Sequence, residues 1–234
     1  AQVAAMDTVD LAQLNSAQIG AFSAMGLAGL STTQIANLGT NQVAALTADQ
    51  LNALSTNQIV AVTTAQAAAL TSSQVAGLLA SKLTAMQTED VAALTTSAVN
   101  ALNVAQVKAL TTAQVAGITT TQAAAIGQAQ LAALSSAQMA AMETSDVAKL
   151  GSSQIAALSN TALNGLTTLQ MANLSTAQLN ALSAFQVKAL STAAIVAMTT
   201  AQASALGSAQ VASLTTAQVA ALATDDLEVL STAA

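Results

Sequence analysis

The sequence is an eight-residue repeat that runs without insertion or deletion along all 234 residues. From Met6 onward, every eighth position is apolar in all 29 cases and is most often Leu. The position three residues before it carries Val, Ile, Leu or Met in 26 of 29 octads. The consensus is L-[S/T]-T-A-Q-V-A-A. A repeat of this regularity is typical of chains whose units stack on one another.

The spacing of the large apolar residues predicts the secondary structure. They alternate at intervals of three and five residues. On a β-strand these intervals would place apolar groups on both faces of a sheet. In a continuous α-helix two turns take about 7.2 residues, so an apolar stripe of period eight would drift by roughly 80° per octad. The pattern therefore predicts one short helix per octad, with a break before the next.

The break has a recognisable chemistry, which residues 110–115 show in full. Thr111 as N-cap and Gln114 three residues later form a capping box, in which each side chain accepts a backbone N–H group of the other. Leu110 and Val115 flank the box as a hydrophobic staple. Ser, Thr, Asp, Asn or Gly occupies 25 of the 29 N-cap positions. The sequence predicts helices of about six or seven residues, joined by sharp corners that require neither Pro nor Gly.

One octad buries too little apolar surface to be stable alone, so the octads must stack as in a solenoid. We therefore expect an all-α solenoid or superhelix of very short helices, one per octad, joined by tight capped corners. Leu and Val should lie inside, and rows of Thr, Ser and Gln should lie outside. Residues 1–234 should form a single continuous array, in which the similarity of segments 2–14 and 138–150 indicates an internal duplication.

The position of Gln in the octad has two kinds of exception. Asp replaces Gln at positions 10, 90, 146 and 226, where a negative charge in the first helical turn suits the helix dipole. Other residue types replace it in five more octads, namely at Gly26, Lys82, Ala98, Ala162 and Ala194. We expect those five octads to be locally weaker, or to mark contacts that the consensus does not describe.

Composition argues against several functions. The chain has no Cys and no His, so the usual catalytic triads, thiol nucleophiles and zinc or haem ligand sets are excluded. Four scattered Lys residues cannot neutralise a row of phosphates, and no apolar run is long enough to span a membrane. We therefore predict no enzyme activity, no catalytic, cofactor-binding or metal-binding residues, no cofactor, no nucleic-acid partner and no membrane span.

The densest acidic groups are Glu89 with Asp90, and Asp225 and Asp226 with Glu228. Their spacing differs from that of a calcium-binding loop of the D-x-D-x-D-G type. We expect these side chains to be solvated and to act at helix starts.

The motif L-[S/T]-T-A-Q-[V/I/L]-A-A resembles the octapeptide arrays of very large bacterial secreted or surface-exposed proteins, which are often adhesin-like. The resemblance covers the whole chain. It implies an extracellular or cell-surface array that serves as a stalk, a spacer or a filament. It brings no catalytic or binding residue with it.

Two functions remain open at this point. The first is a structural repeat protein, either a filament subunit or a rigid spacer of a secreted bacterial assembly. Charged residues make up only 6% of the chain, which favours end-to-end or lateral self-association. The alternative is a binding module that adsorbs to ice or to a polysaccharide through its rows of Thr, Ser and Gln.

Overall fold

The computed structural model describes the backbone of residues 5–233 and the side chains of residues 5–230. Gln2 and Val3, the first members of the repeat, lie outside this range. Residues 5–233 contain helices and no β-strand, and successive α-helices begin eight residues apart. Contacts divide the chain into two units, which meet in sequence between Ile118 and Thr119.

The first unit contains fourteen helices. These are α1 (Thr8–Gln13), α2 (Ser16–Gly20), α3 (Ala24–Ala28), α4 (Thr32–Ala36), α5 (Thr40–Ala44), α6 (Ala48–Ala53), α7 (Thr56–Val60), α8 (Thr64–Ala68), α9 (Ser72–Gly77), α10 (Ala80–Ala85), α11 (Thr88–Ala93), α12 (Thr96–Asn100), α13 (Val104–Ala109) and α14 (Thr112–Ala116).

The second unit contains the other fourteen helices of the described residues. These are α15 (Thr120–Ala125), α16 (Gln128–Ala132), α17 (Ser136–Ala141), α18 (Thr144–Lys149), α19 (Ser152–Ala156), α20 (Asn160–Leu163), α21 (Thr168–Ala172), α22 (Thr176–Asn180), α23 (Ala184–Ala189), α24 (Thr192–Val196), α25 (Thr200–Ser204), α26 (Ser208–Ala212), α27 (Thr216–Ala221) and α28 (Thr224–Ala233).

The capping box predicted at the start of α14 is confirmed. The hydroxyl of Thr111 accepts a hydrogen bond from the backbone N–H of Gln114 at 3.1 Å. The side-chain oxygen of Gln114 accepts the backbone N–H of Thr111 at 3.0 Å. Thr111 has extended backbone angles, φ −69° and ψ 158°, and this conformation turns the chain between two helices.

Most helices have five or six residues, slightly fewer than the six or seven expected from the sequence. The difference arises because the corner takes two or three residues of each octad rather than one or two. Within the described residues no amino acid has a positive φ, which confirms that the corners require no glycine.

Helices stack in a regular order within each unit. A helix packs against the helix three places further along the chain, as α8 does against α11 in the first unit and α17 against α20 in the second. The predicted solenoid of short helices is therefore confirmed. Leu and Val point inward as expected, with Leu54 and Val75 almost completely buried. Within residues 5–233, no helix combines the length and the apolar character that a membrane crossing requires.

The stacked backbones approach each other closely at some positions. A Cβ atom placed on Gly165, which follows α20, would lie 2.1 Å from the carbonyl oxygen of Ser136 at the start of α17. Only glycine avoids this overlap. At Gly165 the absence of a side chain therefore allows the backbones of successive turns to approach this closely.

We predict that Thr111→Ala destabilises the protein by about 1 kcal/mol, because the N–H of Gln114 loses its acceptor. Thr112→Ala is the matched control. Thr112 is exposed at the first helical position, and there Ala has the better helix propensity. Urea unfolding of both variants checks the prediction. Equal losses of stability in the two variants would contradict it.

Candidate functional site

The Gln side chain of the octad is buried, which corrects the prediction that Gln lies outside with Thr and Ser. Gln74 in α9 is only 4% exposed. Its side-chain oxygen accepts the N–H of Thr71 at 2.7 Å, so it closes the capping box as predicted. Its amide nitrogen points the other way and donates to the carbonyl oxygens of Leu46 at 2.7 Å and Val43 at 2.8 Å. One amide thus joins two turns of the solenoid.

The second bond recurs throughout both units, and we call the set the glutamine ladder. In each member the amide nitrogen donates to the carbonyl oxygen 28 residues earlier, at 2.6 to 2.9 Å. The members are Gln34, Gln42, Gln50, Gln58, Gln66, Gln74, Gln106 and Gln114 in the first unit, and Gln154, Gln170, Gln178, Gln186, Gln202, Gln210 and Gln218 in the second. This constant spacing equals three and a half octads, so each of these bonds joins a helix start to a corner of the preceding turn.

The glutamine ladder supplies hydrogen-bond partners to the ends of the helices. The first N–H groups and the last C=O groups of an α-helix have no partner within the helix. The Gln oxygen satisfies an N–H group at the start of its own helix. Its nitrogen satisfies C=O groups at the end of a helix in the preceding turn. A buried polar group left without a partner costs about 1–3 kcal/mol, so each amide secures two helix ends at once.

Lys82 shows that the same position can take a charged donor. It replaces Gln in α10, and its ammonium group donates to the carbonyl of Leu54, again 28 residues earlier. The side chains of Gly26, Ala98, Ala162 and Ala194 have no polar atom with which to make this bond. We predicted that the octads of these residues are locally weaker, and this stays a prediction.

Asp90 in α11 is the exception with the most unusual surroundings. Its side chain is 1% exposed. The carboxyl group accepts hydrogen bonds from the Thr64 hydroxyl of α8 and from the backbone N–H of Gln87. Its oxygen Oδ2 is buried and has no hydrogen-bond partner. Burial raises the pKa of Asp90 above 3.8, and the nearby charge of Glu89 acts in the same direction.

Asp146 and Asp226 are also buried, with 2% and 4% of their surface exposed. One oxygen of Asp146 accepts the hydroxyl of Thr120 at 2.8 Å, and the other is buried without a partner. The prediction that the acidic groups are solvated is therefore wrong for Asp90 and Asp226, although Glu89 and Asp225 are exposed. The Gln position faces the neighbouring turn, so Asp90, Asp146 and Asp226 are buried there, whereas Asp10 in the first described helix is exposed.

Each buried Asp is preceded in the sequence by an Ala at a fixed separation, which the sequence analysis missed. Three octads carry Ala instead of a larger apolar residue at the core position, and each Ala precedes a buried Asp at the same separation. The pairs are Ala67 with Asp90, Ala123 with Asp146, and Ala203 with Asp226, and Thr stands three positions before every one of these Ala residues. The pairs join α8 to α11, α15 to α18 and α25 to α28, which pack together. In the first two pairs the Asp side chain accepts a hydrogen bond from the Thr that stands three positions before the small Ala.

The polar side chains at the Gln position of the octad contribute to the packing of one turn on the next. Within the described residues, no three acidic side chains come close enough to hold a metal ion together. The polar side chains of the glutamine ladder are occupied by backbone groups of the protein itself. The predictions that the chain has no catalytic, cofactor-binding or metal-binding residue are not tested by this geometry and stay predictions.

Comparison with known families agrees with the repeat seen in the structure. The family model of the ALTTAQ repeat matches residues 3–40, 26–56, 43–79, 83–120, 139–176, 171–200 and 186–216. These matches cover well over half of the chain, so the chain belongs to the ALTTAQ repeat family. No curated protein shows significant similarity to the sequence. Family and structure together define an α-solenoid repeat protein.

We predict that Gln74→Glu destabilises the first unit by about 1–3 kcal/mol, because Glu keeps the acceptor but loses the N–H donors to Val43 and Leu46. Gln18→Glu is the matched control. Gln18 closes a capping box with Asn15 but is exposed. Thermal unfolding at neutral pH should show a clear loss for Gln74→Glu and little change for Gln18→Glu. A loss of the same size in both would mean that the capping box alone matters.

We further predict that Ala67→Val costs about 1–3 kcal/mol in the natural sequence, because Ala67 is fully buried between α8 and α11. In an Asp90→Gln background the same change restores the consensus pair of Val and Gln, and it should cost much less. A double-mutant cycle measures this coupling, which should reach about 0.5–3 kcal/mol. Strict additivity of the two changes would refute the pairing.

Proposed function

We propose that the chain is a structural element, a filament subunit or rigid spacer that extends by adding turns of the same repeat. The observation that carries this proposal is the glutamine ladder. Each turn presents carbonyl groups on one side and amide N–H groups on the other, so the two sides are complementary. A surface built in this way fits another copy of itself.

The exposed core positions support the same proposal. Val219 and Leu227 occupy the apolar core position of the octad, yet they are 40% and 39% exposed. In the register of the glutamine ladder, a residue at the apolar core position is covered by the octads of the next turn. In the first unit Gln18 is exposed, whereas the members of the glutamine ladder in this unit are buried. Both surfaces fit a further turn of this repeat, supplied by a second copy or by a longer array.

A location outside the cell is part of the proposal and rests on the resemblance to secreted bacterial octapeptide arrays. We also propose that the protein is not an enzyme, since its polar side chains at the repeat positions are used for stacking. The low share of charged residues leaves little repulsion between copies, which favours self-association.

The alternative of a binding module for ice or polysaccharide has one favourable observation. The second Thr of the octad is exposed in several helices, as at Thr32, Thr56 and Thr112. The first Thr is already used as an N-cap. In this alternative the chain stays monomeric and adsorbs to its target through these exposed hydroxyl and methyl groups.

The test is electron microscopy and sedimentation of the purified chain at micromolar concentration without a ligand. We expect fibres of constant width, and we expect the pair of changes Val219→Lys and Leu227→Lys to abolish them by placing charge on the stacking surface. Val60→Lys is the matched control, because Val60 is 44% exposed but lies outside the core position. Discrete particles from the unmodified chain would overturn the filament proposal and favour a spacer or an adsorbing module.

A further inference from the structure

We propose that the contact between α8 and α11 is an acid-stabilised joint, in which Asp90 replaces the amide of Gln only when its carboxyl group carries a proton. Protonation would close this contact, and ionisation would weaken it. The rest of the glutamine ladder in the first unit is built from groups that do not titrate, apart from Lys82. The joint is thus a local response to acidity, and it does not depend on filament formation.

The register of the repeat identifies what Asp90 faces. Gln74 bonds to the carbonyl groups of Leu46 and Val43. Val62 and Ile59 precede Asp90 by the same numbers of residues. Those partners, Leu46 and Val43, each receive an amide N–H of Gln74. An ionised carboxylate only accepts hydrogen bonds, whereas a protonated carboxyl group has one O–H to donate. Protonated Asp90 therefore has the donor that this position of the octad needs.

The surroundings of the carboxyl group favour the neutral form. The Oδ2 oxygen is buried without a partner, so it is the oxygen free to carry the proton. The Gln87 N–H and the Thr64 hydroxyl donate to the carboxyl group and by themselves lower its pKa, but the effect of burial is larger and the pKa is raised. Gln87 also donates its side-chain amide to the carbonyl of Val60 at 3.1 Å, so this corner is held partly by an unusual N-cap residue.

No positive charge compensates Asp90 from the helices stacked against its own. The helices that stack on α11 are α8 and α14, and their sequences, TAQAA and TAQVA, contain no titratable residue. On α11 itself the other titratable group is Glu89, whose charge opposes ionisation of Asp90. An ionised Asp90 is therefore buried without a counterion from these helices, which is costly in a protein interior.

The direction of the pH dependence follows from linkage. Folding raises the pKa of Asp90, mainly through burial, from an ordinary value of 3.8. The folded protein therefore binds more protons than the unfolded chain between that value and the folded pKa. The stabilisation is fully present below about pH 3.8 and is lost as the pH rises through the folded pKa.

The experiment compares hydrogen exchange of the backbone amides of octad 87–94 in the natural protein, Asp90→Gln and Asp49→Asn. Asp90→Gln restores the consensus and supplies a donor at every pH. Asp49→Asn removes one negative charge from an exposed position of the same unit. Each variant is measured beside the natural protein at pH 4 and at pH 7, so that the intrinsic exchange rates cancel.

We expect Asp90→Gln to protect these amides on the order of tenfold at pH 7, because Gln supplies the hydrogen-bond donor that an ionised carboxylate lacks. At pH 4 the advantage should shrink severalfold, while Asp49→Asn follows the natural protein at both values. An advantage that does not change with pH would overturn the proposal. So would recovery of full protection at pH 7 on adding Na⁺ or Ca²⁺, because a bound cation would then take the place assigned to the proton.

Discussion

The structure depends on one requirement, which is to find hydrogen-bond partners for the ends of very short helices. In a helix of five or six residues most backbone N–H and C=O groups belong to an end, and ends have no partners within the helix. The third helical residue, usually Gln, meets this requirement in both directions. Its oxygen serves the start of its own helix, and its nitrogen serves the end of a helix in the preceding turn. Helix formation and stacking are therefore one process.

This coupling explains why the octad consensus is strict at some positions and loose at others. The apolar positions need only size and shape, so Leu, Ile, Val and Met all occur there. The Gln position needs an acceptor and a donor at fixed places, which few side chains provide. Lys82 supplies the donor alone. Asp90 supplies the acceptor and, when protonated, a donor. Each of these two exceptions therefore keeps part of the function of Gln.

Much of the fold could be predicted from the sequence, because capping boxes and apolar spacing are local properties. Thr111 and Gln114 lie three residues apart, so their mutual bonds follow from helix geometry. The bond from Gln74 to Leu46 could not be found in this way, since the number of octads in a turn is set by how closely the backbones pack. The burial of the Asp residues could not be predicted from the sequence for the same reason. The one sequence signal for their burial was the Ala that precedes each buried Asp at a constant separation.

The glutamine ladder keeps one constant separation of 28 residues between each donor and its carbonyl acceptor. Because consensus octads are interchangeable, the array can gain or lose whole octads without leaving a carbonyl group unpaired. The Ala–Asp pairs are different, since Ala67 and Asp90 match only at their present separation. Recombination within the array is thus free to change its length almost anywhere, except between the two members of such a pair.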